Sequence, residues 1–313
     1  MTADLDELLV KTSRTFALSI PLLPRPTREE VKLAYLMFRI ADTFEDATLW
    51  PSRRKIRALA ELREHLQGEP DPEAVALSAA SWTSEPPEDH HQGYLELLGA
   101  ADDVFEAYWK LSDPARDVIR RHLIRTVDGM SEFVSEGGAS GDLELRDLEE
   151  LRRYCYVVAG IVGEMLTDLF LLGIPELEPV GGLLRDRARQ FGEGLQLVNV
   201  LKDSARDRKE GRVFLPPTVD RSRVFSLARS DLDRAAEYTL ALQHSGAPRG
   251  LVEFNALPIL LARASLDRVE TDGAGSKLTR PEVFALIEQM NRDLDAGRDV
   301  VEGTLPPSFG TLS

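Results

Sequence analysis

The chain has 313 residues, enough for a large buried core, and carries 38 Lys plus Arg against 53 Asp plus Glu, for a net charge of −15. That balance argues against nucleic acid as a partner and against generic binding to anionic membrane surfaces. The single cysteine, Cys155, excludes an internal disulfide, and with only five histidines a structural zinc site is not expected. No stretch reads as long and apolar enough to cross a membrane, and the N-terminus lacks a signal pattern, so the expected location is cytoplasmic.

Apolar spacing predicts helices over residues 4–17, 28–48, 51–66, 92–110, 113–135, 147–171, 178–207, 229–244, 248–270 and 279–299, with no convincing alternating strand. Residues 67–91, with Pro70, Pro72, Pro86 and Pro87, read as a long irregular connection. Gly137 to Gly141 read as a flexible break and residues 302–313 as a loose tail. The expectation is one all-α domain over residues 1–301.

In the second predicted helix, Thr27 is expected to be the N-cap, with Glu30 completing a capping box. Val31, Tyr35 and Phe38 mark an apolar stripe. Continuing that stripe reaches Asp42 and then Glu45 and Asp46, so these carboxylates fall on the face that should be inward. Crowded carboxylates that lose water need a partner. Magnesium suits them, because it takes oxygen ligands, keeps several waters and bridges carboxylates to phosphates. The plainer alternative is a solvated acidic helix end.

Asn199, Asp203 and Asp207 recur at four-residue steps, which puts them on one helical face about a turn apart. Two such faces on two helices could hold hard divalent cations between them. Cations accompany both: Arg39 one turn before Asp42, Lys202 and Arg206 interleaved with the later acids, and Arg212 in Gly211-Arg-Val-Phe-Leu-Pro216. Near the N-terminus, Lys11-Thr-Ser-Arg-Thr-Phe16 adds two more cations with hydroxyls. A diphosphate needs this mixture, with metals bridging its oxygens and arginines supplying forked hydrogen bonds. Any one of these cations alone would read as an ordinary surface residue. Gly160 and Gly163 sit inside an apolar helical run, and Gly192 and Gly194 precede the second acidic face; each pair fits either close helix packing or a cavity wall.

With these pieces in hand, the sequence resembles the squalene/phytoene synthases, from about Leu8 to about Lys277. The matching segments are Lys11 to Phe16, Arg39-Ile-Ala-Asp-Thr-Phe-Glu-Asp46, Tyr154-Cys-Tyr-Val-Val-Ala-Gly160-Ile-Val-Gly163, Asn199 to Asp207, and Gly211 to Pro216. The form of the first acidic motif is closer to squalene synthases. The resemblance implies an all-α isoprenoid-synthase (class I terpenoid synthase) fold around a central cavity. It implies metal positions at Asp42, Glu45, Asp46, Asn199, Asp203 and Asp207, with substrate contacts at Ser13, Arg14, Tyr35, Arg39, Lys202 and Arg212. Asp42, Asp46, Asp203, Asp207 and Tyr154 are the expected catalytic residues. Arg14, Arg39, Lys202 and Lys277 are the cations available to NADPH or to the departing diphosphate.

The activity so implied is Mg²⁺-dependent head-to-head condensation of two farnesyl diphosphates through presqualene diphosphate to squalene, reduced by NADPH. Alternatives are dehydrosqualene or phytoene synthesis, presqualene diphosphate as final product, a class I cyclase, and a catalytically silent binding or assembly protein. A transient membrane-surface contact would serve product release. Two departures stand out. Val157 occupies the place where squalene synthases usually carry a tyrosine, and their Lys-x-Arg pair appears as Lys277-Leu-Thr279 with Arg280 displaced by one.

Overall fold

The computed structural model describes residues 3–13, 15–47, 49–85, 92–137, 143–209, 211–216 and 218–303. The chain groups into two compact units, Met1–Pro21 with Arg25–Leu143, and Leu22–Pro24 with Glu144–Ser313. No strand occurs among the described residues; one isolated parallel bridge joins Glu144 and Val213.

The first unit comprises α1 (Leu5–Thr12), α2 (Phe16–Ser19), α3 (Thr27–Glu45), α4 (Ser52–Gln67), α5 (Pro72–Ser84), α6 (Gln92–Gly99), α7 (Ala101–Trp109) and α8 (Asp113–Glu136). Its core gathers Leu36, Met37, Ile40 and Phe44 of α3 with Leu59 and Leu62 of α4 and Phe105 of α7, all fully buried. Burial of side chains this size contributes roughly 1.5–3 kcal/mol each. Trp82 packs edge-on to Phe44 at 4.8 Å, and its indole N–H donates to Glu61 at 2.8 Å, so the ring is buried without stranding its donor.

Two expectations are corrected here. The segment 67–91 is not wholly irregular, because α5 occupies its middle. Asp71 caps α5 by accepting from the Ala74 N–H, Pro72 takes the first turn where its missing N–H costs nothing, and Val75, Ala79 and Trp82 face inward at i, i+4 and i+7. The second correction is at α3: its N-cap is Pro26, with no side-chain cap. Thr27 and Glu30 lie inside the helix, 1% and 4% exposed, with Thr27 Oγ1 and Glu30 Oε2 lacking hydrogen-bond partners. No capping box forms, because the N-cap proline has no N–H for Glu30 to accept from and no side chain caps the helix; burial pushes the Glu30 carboxyl above its usual range.

The second unit comprises α9 (Leu148–Cys155), α10 (Ile161–Gly173), α11 (Gly181–Lys209), α12 (Arg221–His244), α13 (Arg249–Asp272) and α14 (Arg280–Asp295). A π-turn over Tyr156–Gly160 joins α9 to α10 without a break. The resulting run, Leu148–Gly173, has a mean hydropathy of 1.8 in its most apolar stretch, so by length and composition it could cross a membrane, contrary to the expectation that no stretch is long enough. Half of that stretch is buried in the folded chain. The long helix α11 packs against α10, α12 and α13 and forms the spine of this unit.

Candidate functional site

In the first unit the polar group is assembled on α3. Arg39 Nη1 lies 3.2 Å from Asp42 Oδ2, one turn on, and the two side chains are 25% and 28% exposed. The guanidinium carbon sits 5.5 Å from the Tyr35 ring and 5.5 Å from the Tyr94 ring, the latter on α6. The Tyr35 hydroxyl donates to the Thr12 carbonyl at 2.8 Å, and its ring meets Phe16 at 5.5 Å. That contact links α3 to the Lys11–Phe16 segment. Within that segment Ser13 caps the end of α1, and its hydroxyl accepts from the Phe16 N–H at 2.9 Å. Arg14 lies outside the described residues.

Asp42 is pushed up to about 6 by burial; Arg39 pulls the other way and Asp46 adds to the rise. For Arg39 burial is again the largest single influence and opposes its charge, but Asp42 and the two tyrosines together outweigh it, holding the guanidinium above its ordinary value. Arg39 Nε is buried without a hydrogen-bond partner, so one forked donor remains unused. Asp46 caps α3, its N–H donating to the Asp42 carbonyl at 2.8 Å. Glu45 is only 7% exposed, and its carbonyl accepts from buried Lys55 Nζ at 2.8 Å. A cation at a helix C-terminus satisfies the free carbonyls and opposes the dipole there, which fixes where the acidic turn ends.

In the second unit Asn199, Asp203 and Asp207 share a face of α11, as their spacing predicts. Asn199 is exposed, and its Oδ1 accepts from Lys202 Nζ at 2.9 Å. Asp203 has Lys202 Nζ at 3.6 Å and Arg206 at 3.8 Å. Asp207, the most buried of the three, has Arg206 at 3.5 Å and Arg212 at 3.9 Å. The Arg212 N–H also donates to the Asp207 carbonyl at 2.9 Å, so the chain turns straight back on the helix that presents the acids. Tyr154 is buried against Phe214 at 4.8 Å, which joins the tyrosine-containing helix to the Gly211–Pro216 segment.

Lys277 is exposed on the loop between α13 and α14. That loop is bonded to the acidic helix: the Gly275 N–H donates to the Lys202 carbonyl at 2.7 Å. Arg280 opens α14, behind a capping box made by Thr279 and Glu282.

The glycine question resolves toward packing. A Cβ on Gly163 would come within 2.0 Å of the Ala188 carbonyl oxygen, and one on Gly192 within 1.9 Å of the Ala159 carbonyl oxygen. A Cβ on Gly160 would meet the Tyr156 ring at 2.7 Å, and one on Gly194 the Asp231 backbone at 3.2 Å. These residues let the Tyr156–Gly173 run and α12 close onto α11.

Both acidic sets offer only oxygen donors, the chemistry a hard cation selects. Among the described residues, no three His, Cys, Asp or Glu side chains converge as a ready-made metal cage. Magnesium needs no such cage, since it usually takes one or two carboxylates and completes its shell with water and substrate phosphate. The donor chemistry therefore fits it. Tyr94 is the residue that sequence reasoning missed. It carries no charge, belongs to no acidic spacing, and its partner lies 55 positions away on another helix.

The squalene/phytoene synthase family model matches residues 9–223. The chain belongs to that family. Squalene synthase of Schizosaccharomyces pombe is 32% identical over 216 residues, which is 67% of this chain and 43% of the relative. Squalene synthase of Bos taurus is 31% identical over 216 residues, 66% of this chain and 45% of the relative. The chain thus spans under half the length of these relatives. Among solved structures, a complex of TcSQS with the ligand BPH1237 matches with a TM-score of 0.68 and 26% identity, over 94% of this chain and 88% of that one. A dehydrosqualene synthase complex matches with a TM-score of 0.55 at 16% identity, over 93% of this chain and 95% of that one, a likeness of fold alone. The architecture is the isoprenoid-synthase helical fold, as the sequence implied.

Proposed function

We propose that this family member is a prenyltransferase that joins two farnesyl diphosphates head to head through presqualene diphosphate, and reduces the product to squalene. The observation that carries the reading is the set Asn199, Asp203 and Asp207 on one face of α11, laced with Lys202, Arg206 and Arg212. A metal-bridged diphosphate calls for carboxylates and cations interleaved in this way.

Asp42, Glu45, Asp46, Asn199, Asp203 and Asp207 would hold Mg²⁺, whose chemistry is to neutralise the diphosphate as it departs. Arg39, whose side chain is 25% exposed, would offer guanidinium N–H groups to diphosphate oxygen, and the two tyrosines would keep its fork from swinging into water. Lys202 and Arg212 would add charge where the leaving group gains it. The apolar rings of Tyr154 and Phe214 would exclude water from a carbocation that water would otherwise quench. NADPH would supply hydride, with Lys277, Arg14, Arg39 and Lys202 the cations available to its phosphates or to the departing diphosphate.

Val157 favours a second reading, with dehydrosqualene as product. It is 8% exposed within the π-turn, so no hydroxyl stands there to handle a proton. The test is mass spectrometry of hydrocarbon and dephosphorylated intermediate made from farnesyl diphosphate, with Mg²⁺ and with or without NADPH. Presqualene diphosphate alone, turning to squalene on adding NADPH, is the expected result. Dehydrosqualene irrespective of NADPH would select the second reading, and no coupled product at all would overturn both.

A further inference from the structure

We infer that Tyr94 is a positioning residue for the reaction: it forms the outer wall of an aromatic clamp that aims Arg39. The inference rests on the reading of Arg39 as a diphosphate contact. The Arg39 guanidinium lies 5.5 Å from each of two tyrosine rings, Tyr35 one turn back on its own helix and Tyr94 on α6. Tyr35 is fixed by its hydrogen bond to Thr12 and by Phe16. Tyr35 and the Asp42 carboxylate, 3.2 Å away, hold the guanidinium from its own helix only, and its Nε has no hydrogen-bond partner. The second ring adds a hold from another helix, and its negative face attracts the same charge.

The start of α6 is built to hold Tyr94 there. Gly93, its neighbour, lies so close to α1 that a Cβ would come within 2.8 Å of both the Lys11 carbonyl oxygen and the Lys11 Cβ. Only glycine lets the two helices approach this far. Lys11 Nζ then reaches over to Glu96 at 2.7 Å, two residues beyond Tyr94, while also pairing with Glu7 at 2.7 Å. Each of the salt bridges is half in water and contributes little stability by itself. Together with the glycine contact they fix the register of α6 against α1, and register decides where Tyr94 points. Lys11, which the sequence offered as a phosphate cation, is thereby engaged with two carboxylates.

The experiment compares Tyr94→Leu, Tyr94→Phe, Arg39→Gln and the Tyr94→Leu/Arg39→Gln double variant of the full chain. Diphosphate release from farnesyl diphosphate is followed, with thermal melting alongside. Tyr94→Leu keeps an apolar side chain and loses the π face, so KM should rise roughly two- to thirtyfold, the range of cation–π contacts from exposed to desolvated, with kcat changed less. Tyr94→Phe keeps the face and should stay within about twofold of the parent. In the Arg39→Gln background, Tyr94→Leu should cause no further loss. If Arg39→Gln is impaired and Tyr94→Leu adds its full effect on top, the clamp is wrong and the reading of Arg39 stands. If Arg39→Gln matches the parent, that reading falls and the inference falls with it. Should Tyr94→Leu melt early, the Phe variant decides: a KM shift there would overturn a role for the ring face.

Discussion

Gly163 on α10 rests against the carbonyl of Ala188 on α11, with a gap that a single methyl group cannot enter: its Cβ would lie 2.0 Å from the oxygen. The neighbour is backbone, so no side chain can rotate out of the way. Gly192 meets the Ala159 carbonyl in the same manner from the opposite helix. The two contacts together set how closely the Tyr156–Gly173 run lies on the helix that carries Asn199, Asp203 and Asp207.

Gly163→Ala should therefore destabilise the fold by about 1–3 kcal/mol, the usual cost of overpacking. Gly182→Ala is the control, because no atom lies within 4 Å of a Cβ there and alanine is the better helix former. Urea unfolding of the two variants measures the difference. A Gly163→Ala protein as stable as the parent, but with altered preference for prenyl chain length, would restore the cavity-wall account.

Asp203→Asn keeps the shape of the side chain and removes a ligand charge. Activity should fall by about two orders of magnitude or more, as expected when transition-state charge loses its stabilisation. Melting temperature should hold, because the carboxylate's contacts to Lys202 and Arg206 are long and partly wet. Steady-state kinetics at saturating Mg²⁺, beside a melting curve, checks both halves. Near-parent turnover would remove Asp203 from the metal set.

Asp231 gives a pH signature separate from catalysis. It is 4% exposed on α12, its Oδ2 lacks a hydrogen-bond partner, and it lies near the equally buried Glu193 of α11. Glu193 keeps its charge company with Arg189 at 2.6 Å and Arg152 at 3.8 Å. Burial, with Glu193 adding, pushes Asp231 up to about 6. The folded carboxyl therefore binds a proton that the unfolded one, near 4, has already released. Between those values the folded state holds more protons, so stability from this group falls as pH rises and the full penalty is present above about 6. Asp231→Asn should raise stability by about 1–3 kcal/mol at pH near 7.5 and by much less near pH 4.5. Urea titrations at the two pH values measure this, and an equal effect at both would show that the carboxyl is not held protonated.

The long helices were legible because their apolar stripes run for several turns, and α3, α4, α8 and α13 begin and end within a few residues of where the pattern places them. The misses have local causes. Pro72 was read as a breaker, although the first turn of a helix tolerates it. The opening of α12 at Arg221 was missed because its first turns are rich in Arg and Ser, with Val224, Phe225 and Ala228 supplying a short buried stripe. The predicted helix 92–110 divides at Ala100, whose φ of −108° and ψ of 19° leave helical space. In the acidic sets, spacing revealed the shared faces of Asp42, Asp46, Asn199, Asp203 and Asp207. It could not reveal the Tyr94 ring, which depends on how α6 registers on α1, nor the π-turn at Tyr156–Gly160, which has no sequence period of its own.

The C-terminal third of α11 is braced from outside on successive carbonyls. Arg221 donates to the Leu201 oxygen at 3.1 Å, and the Gly275 N–H to the Lys202 oxygen at 2.7 Å. A helical carbonyl normally serves only its own ladder, so each of these oxygens is shared. The turn that displays Asp203 is thus held in place by contacts made on folding, which lowers the entropy cost of ordering it when a ligand arrives. The loop bearing Lys277 is thereby tied by a backbone hydrogen bond to the helix turn bearing Asp203.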